Sequence, residues 1–177
     1  MVDGGYQLRA RRGGRTRSAG VTLIELVTAL AVLAVLVALA VPNFNDASLS
    51  GRLNGFANSL AGSAQLARGE AIKRNATIRL CGSTDGANCD TSDWEQGWIV
   101  VTEDDNTVLE AHDALPDEFR VTSSEGGEHR FLGSVVGTDA GTLTVCRASP
   151  VGSEERVVTI SGTGAAYVTI TTAGSCS

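Results

Sequence analysis

Four cysteines are the side chains with the clearest potential for covalent chemistry in this sequence of 177 residues. They all lie downstream of an apolar N-terminal run, at Cys81, Cys89, Cys146 and Cys176. An even number of cysteines in an exported chain indicates two disulfides, with three possible connectivities. We favour Cys81–Cys89 and Cys146–Cys176, because each bond closes a local region. Zinc binding is the competing interpretation, but the spacing lacks a C-x2-C pair and both histidines lie elsewhere.

Glu25 is the second residue of chemical interest, because its carboxylate lies just inside the apolar run. From Leu26 to Val41 the run contains a single polar residue, Thr28. A charged side chain costs several kcal/mol in a bilayer and is usually retained there for a function. The alternative is that Glu25 reaches the headgroups from the end of a helix.

The remaining reactive side chains form no catalytic pattern. The sequence has no nucleophile elbow, phosphate loop, zinc-protease helix or dinucleotide fingerprint. The loops "GSTDG" and "GTDAG" have no partnered base, and paired cysteines are not available as thiolates. We therefore predict a protein that is not an enzyme and that needs no cofactor or metal. The histidines, His112 and His129, are expected at the surface.

The apolar run must position Glu25, and its length suits a membrane helix. From Val21 to Val41 it has 21 residues, about 32 Å as a helix at ~1.5 Å per residue, enough to cross the hydrocarbon core. Arginines precede it at Arg9, Arg11, Arg12, Arg15 and Arg17. They favour a cytoplasmic start and place the rest of the chain outside. A cleaved signal peptide ending at Ala38-Leu39-Ala40 is the main alternative.

The helical pattern continues beyond Pro42, which can kink a helix without ending it. Apolar residues recur every three or four positions at Leu49, Leu53, Phe56, Leu60, Ala64, Ala67 and Ala71. We predict one helix from about Thr22 to Arg74, apolar all round in its first half and amphipathic in its second. Asn75 is suited to the left-handed position that ends it.

The segment "GVTLIELVTALAVLAVLVALAVPNF" closely resembles the N-terminus of type IV pilins and type II secretion pseudopilins. The resemblance implies that a prepilin peptidase cuts between Gly20 and Val21, and that Val21 is then N-methylated. Val21 stands where the family usually has phenylalanine. Glu25 becomes the fifth mature residue, which in the family is thought to meet the N-terminal amine of a neighbouring subunit during assembly. Pairing these two charges offsets the desolvation of each.

After Asn75 the sequence changes to short β-type runs separated by turns. Examples are "ATIRLCG" and the hairpin "GWIVVTEDDNTVLEA", in which Trp98 is expected in the core. The fold class is therefore α+β, a long helix packed on an antiparallel β-sheet domain, pilin-like by resemblance. The stretches "LARGEAIKRNATIRLCGSTDGANC" and "DWEQGWIVVTEDDNTVL" resemble the GspH/FimT branch of minor pseudopilins and minor pilins.

The predicted organisation has four parts. They are a basic leader (1–20), a transmembrane and filament-core helix (21–42), its amphipathic continuation (43–75) and a disulfide-stapled β-rich domain (76–177). The resemblance implies a structural subunit of a type II secretion pseudopilus or a type IV pilus. Its partners would be other pilin subunits, the prepilin peptidase and the inner membrane, with the leader cytoplasmic and the C-terminal domain periplasmic.

DNA capture by a FimT-like minor pilin is the alternative function. Five arginines and one acidic residue precede Gly20, so the totals of 14 and 20 leave 9 basic and 19 acidic residues in the rest. Such an acidic body disfavours contact with phosphates. The stretch "ISGTGAAYV" also lacks the arginine that the DNA-binding members carry there. We therefore predict that nucleic acid is not a partner.

Overall fold

The computed structural model describes residues 20–90, 93–134, 138–148, 152 and 154–173, without the side chains of residues 40–44. The chain divides into two compact units, Met1–Asn43 and Phe44–Ser177. Within the described residues the secondary structure consists of one α-helix, one short 3-10 helix and eight β-strands. The class is α+β, as the sequence predicts.

Helix α1 (Leu23–Arg74) has 52 residues and begins one residue later than predicted. It ends as expected, with Asn75 in the left-handed region at φ +49°. The amide of Ala76 donates to the Ala71 carbonyl (3.2 Å), and the amide of Asn75 donates to the Ile72 carbonyl (3.3 Å). These two bonds satisfy carbonyls that the end of a helix leaves unpaired.

In the first unit, the apolar side chains from Val21 to Leu39 are exposed in the single chain. Leu23, for example, exposes 80% of its surface. Within the part of the chain that the structure describes, no helix meets the length and hydropathy required to cross a membrane.

The second unit contains two antiparallel four-stranded sheets. The strands are β1 (Ile78–Gly82), β2 (Trp98–Thr102), β3 (Val108–His112), β4 (Phe119–Ser123), β5 (Glu128–Phe131), β6 (Gly141–Arg147), β7 (Glu155–Ile160) and β8 (Ala166–Thr171). The first sheet has the order β3-β2-β1-β5 and the second β4-β6-β7-β8. The 3-10 helix (Trp94–Gln96) precedes β2.

One hydrophobic core joins the two sheets to the second half of α1. The helix contributes mostly small side chains, which allow the strands to approach it closely. They are Leu53, Ala57, Leu60, Ala61, Ala64, Ala67 and Ala71. From the sheets, residues such as Leu80, Val100, Val145 and Val158 pack against them. The predicted packing of an amphipathic helix on a sheet domain is confirmed.

Trp98 is a core residue, as predicted, with 2% of its surface exposed. Its indole Nε1 donates to Ser63 Oγ on α1 (3.0 Å), and its ring stacks on His112 with a centroid separation of 4.5 Å. The expectation of surface histidines is wrong for His129, which is fully buried. His129 pairs with Leu80 across β1 and β5, so its side chain points to the face that packs on α1.

Candidate assembly interface

Glu25 lies in the first turn of α1, where a threonine holds the helix start. The Glu25 amide donates to Thr22 Oγ1 (3.3 Å), and the Thr28 hydroxyl donates to the Glu25 carbonyl (3.0 Å). Thr22 is therefore the N-cap and Glu25 the third helical residue, the composition of a capping box. A carboxylate in this turn is favoured by the helix dipole. Glu25 is predicted from the sequence but its cap is not, although T-x-x-E before an apolar run is a recognisable signal.

A shallow groove continues from Glu25 along one face of the helix. It is lined by Glu25, Thr28, Ala29, Val32, Leu33 and Leu36. The two polar residues lie at one end, and apolar side chains line the rest. This face could therefore accept an apolar surface that carries one positive group next to the carboxylate.

Gly20 and Val21 precede the helix and are exposed. Neither residue is helical, and Val21 exposes 71% of its surface. Space for a side chain is also available at Gly20, since no atom lies within 4 Å of a Cβ built there. The peptide bond between them is thus accessible in this unit.

The disulfide Cys81–Cys89 is present in the second unit, as predicted, with 5.5 Å between the Cα atoms. Cys81 forms a small buried cluster with Ile99 and Val101. These residues alternate along β1 and β2 with core residues, so they lie on the face of the sheet away from α1. Cys146 is also disulfide-bonded. Its predicted partner, Cys176, lies outside the described residues, and that pairing stays a prediction.

Asp85 orders the loop that the Cys81–Cys89 disulfide closes. Its carboxylate accepts hydrogen bonds from the Asn88 side chain (2.7 Å) and from the amides of Ala87 and Asn88 (2.8 Å each). The side-chain bond from Asn88, followed by the backbone amides, holds the pKa of Asp85 well below its usual value. The oxygens of Asp85 are thus engaged in local structure.

The basic side chains of the second unit have partners within the chain. Eight of the nine face a carboxylate: Arg52, Lys73, Arg74, Arg79, Arg120, Arg130, Arg147 and Arg156. The ninth, Arg68, donates to the carbonyls of Leu132 (3.0 Å) and Ser134 (2.9 Å). Binding a nucleic acid with these residues would require breaking intramolecular contacts, and the acidic residues outnumber them.

Arg156 is a buried charge that sequence analysis did not identify. Only 2% of it is exposed, and it donates to Ser50 Oγ (3.0 Å) and Glu154 (3.1 Å) and also contacts Asn54. The bonds to Ser50 and Asn54 connect β7 to α1. The signal available in the sequence was its period-two alignment with Val158 and Ile160, which places it on the inner face.

Comparison with protein families gives two matches. The profile described as type II transport protein GspH matches residues 57–164. The profile of the prokaryotic N-terminal methylation motif matches residues 15–41, the segment that contains Gly20, Val21 and Glu25. No curated protein sequence matches the chain significantly.

Solved structures of a minor pilin share the fold. The type IV minor pilin FimU of Pseudomonas aeruginosa is similar in two crystal forms, with 18% identity in each. The P21 form has a TM-score of 0.54 and covers 70% of this chain and 90% of that one. The P65 form has 0.51, with 66% and 90% covered. The minor pseudopilin EpsH from the type 2 secretion system of Vibrio cholerae has a TM-score of 0.47 at 13% identity, with 68% and 97% covered.

Proposed function

This chain belongs to the GspH family of type II transport proteins, and we propose that it is a minor pseudopilin or minor pilin. In this role it is a structural subunit of a type II secretion pseudopilus or a type IV pilus. The observation that carries the proposal is the first unit: a methylation motif leads into an exposed apolar helix with one carboxylate in its first turn. Such a helix requires apolar cover, which a bilayer or the core of a filament supplies.

Processing begins with removal of the leader, residues 1–20. A prepilin peptidase cuts between Gly20 and Val21, and the new amine of Val21 is methylated. The position of these residues in the methylation motif supports the cut. Their exposure outside α1 supports access by the enzyme.

Before assembly the chain is anchored in the inner membrane through residues 21–42, with the leader cytoplasmic and the body, including residues 76–177, periplasmic. The arginine-rich leader supports this orientation. The Cys81–Cys89 disulfide supports an oxidising location for the body.

During assembly the carboxylate of Glu25 pairs with the N-terminal amine of a neighbouring subunit. The groove below Glu25 then packs against that subunit's apolar helix. An isolated ammonium or carboxylate in such surroundings costs several kcal/mol, and pairing removes much of this cost. The pair therefore favours one axial register between subunits.

The proposed processing is tested by the intact mass of the full chain after co-expression with a prepilin peptidase. We expect a product that begins at Val21 and carries one added methyl group. Gly20→Val, at a position with free space, is the matched control and should remain uncut. A product that begins after Ala40 would identify a signal peptide and contradict the proposal.

A further inference from the structure

We propose that Thr22 is a positioning residue for leader removal: as the N-cap of α1 it keeps the Gly20–Val21 peptide bond outside the helix. The inference rests on the proposed function, because it concerns the same cut. This role does not require Thr22 to contact the peptidase. It acts through the conformation of the two residues that precede it.

The geometry of the helix start carries the proposal. Residues 20–22 are not helical, and α1 begins at Leu23. A side-chain bond marks this boundary, from the Glu25 amide to Thr22 Oγ1 (3.3 Å). It satisfies one of the amides that the first turn of a helix leaves unpaired.

A helix that began one turn earlier would enclose the bond to be cut. Proteolysis occurs preferentially where the backbone is exposed and free of regular structure. Inside a helix, the carbonyls of the scissile segment would be hydrogen-bonded and its backbone coiled. Keeping this segment outside the helix is therefore a condition for attack.

The sequence provides a competing start. Ser18, which lies outside the described residues, is the next residue upstream of a type that caps helices well. A helix capped by Ser18 would have Ala19, Gly20 and Val21 as its first three residues. Alanine is a poor N-cap, so replacing Thr22 by alanine shifts the balance towards the earlier start.

The experiment measures the initial rate of leader removal from the full-length chain by purified prepilin peptidase in detergent. We expect Thr22→Ala to be cut measurably more slowly, by up to about fivefold, because loss of an N-cap shifts the balance between the two starts by about 1 kcal/mol, and 1.4 kcal/mol is a factor of ten. Thr22→Ser and Thr22→Asn should keep a rate near that of the wild type. Asparagine caps a helix with its amide oxygen and has neither the methyl nor the hydroxyl group of threonine.

A second pair of variants tests the competing start. Ser18→Ala alone should be cut at least as fast as the wild type, and Ser18→Ala combined with Thr22→Ala should recover most of the lost rate. Wild-type cleavage in Thr22→Ala, or equal loss in the alanine, serine and asparagine variants, would overturn the proposal. Failure of the wild-type chain to be cut after Gly20 would instead contradict the proposed function.

Discussion

Glu25 places one charged group at the start of an exposed apolar segment, where it must be tolerated before it pairs with a neighbouring subunit. Its backbone amide donates to Thr22 and its carbonyl accepts from Thr28, so neither bond uses its carboxylate. The carboxylate thus remains available for a partner outside the chain. Its place in the first turn is also favoured by the helix dipole.

We predict that Glu25→Ala leaves leader removal intact and lowers incorporation into filaments by at least tenfold. The physical reason is that a neighbour's amine, buried without its counter-charge, destabilises the assembly by about 3–5 kcal/mol. The measurement is the fraction of the subunit in sheared filaments, against the total in the membrane. Glu25→Gln controls for size and should behave like alanine, whereas Glu25→Asp should retain part of the function. Normal incorporation of Glu25→Ala would reduce Glu25 to a charge tolerated at a helix end.

His129 is a titratable residue within the core. It packs beside Trp94 with 5.9 Å between ring centroids, and its Nδ1 lies 3.4 Å from the Asp139 carbonyl. Burial lowers the pKa of His129 below its usual value, against a partial opposing effect of the Asp139 carbonyl and the carboxylates of Glu125 and Asp139. The folded chain therefore takes up this proton at a lower pH than the unfolded chain does.

The sign of the pH dependence follows from this difference. Below the unfolded pKa of about 6.5, the unfolded chain binds a proton that the folded chain still excludes, so stability falls as the pH is lowered. We expect a lower urea midpoint at pH 5.5 than at pH 7.5. His129→Gln should show a smaller difference. An unchanged pH dependence in His129→Gln would show that other groups cause it.

At the scale of elements, the glycines of α1 have room for a side chain, whereas the glycine just before β2 has none. Gly51, Gly55, Gly62 and Gly69 lie in the helix with no atom within 4 Å of an added Cβ. Gly97 precedes β2 at φ +119°, where an added Cβ would lie 2.6 Å from the His112 carbonyl oxygen. The helix thus tolerates side chains at these positions, while the close approach of strands requires glycine at position 97.

We predict that Gly62→Ala stabilises the chain by about 0.5–1 kcal/mol, because alanine favours the helix over glycine. The matched variant Gly97→Ala should destabilise it by about 3 kcal/mol, through backbone strain and steric overlap. Both are measured as free energies of unfolding in urea, in the same detergent. Equal effects of the two substitutions would contradict the local geometry described for them.

At the scale of the whole molecule, the excess of acidic residues distinguishes a filament subunit from a DNA-binding protein. The nine basic side chains after Gly20 are engaged within the chain, and acidic residues outnumber them by about two to one. The electrostatic term that dominates DNA affinity is therefore unfavourable. A structural role in a filament does not require it.

We predict no gel shift of double-stranded DNA by the processed full chain at micromolar concentration and 100 mM salt. A FimT-like DNA-binding minor pilin is the positive control. A variant with arginines at Thr163 and Ala165, next to Gly162 and Gly164, tests whether charge alone limits binding, and it should bind at low salt. Salt-sensitive binding by the unmodified chain would restore DNA capture as a function.

The sequence by itself determined the features that depend on neighbouring residues. Periodicity predicts α1 to within one residue, alternation predicts the hairpin β2–β3, and the left-handed cap at Asn75 follows from local residue preference. The methylation motif around Glu25 is likewise a contiguous pattern.

Only the tertiary structure decided which polar residues are buried, since burial depends on strands far apart in sequence. His129 reaches the core through pairing with β1, and Arg156 through contact with α1 about 100 residues earlier. His129 has no local signal in the sequence, and the alignment of Arg156 with Val158 and Ile160 is outweighed by the usual exposure of arginine.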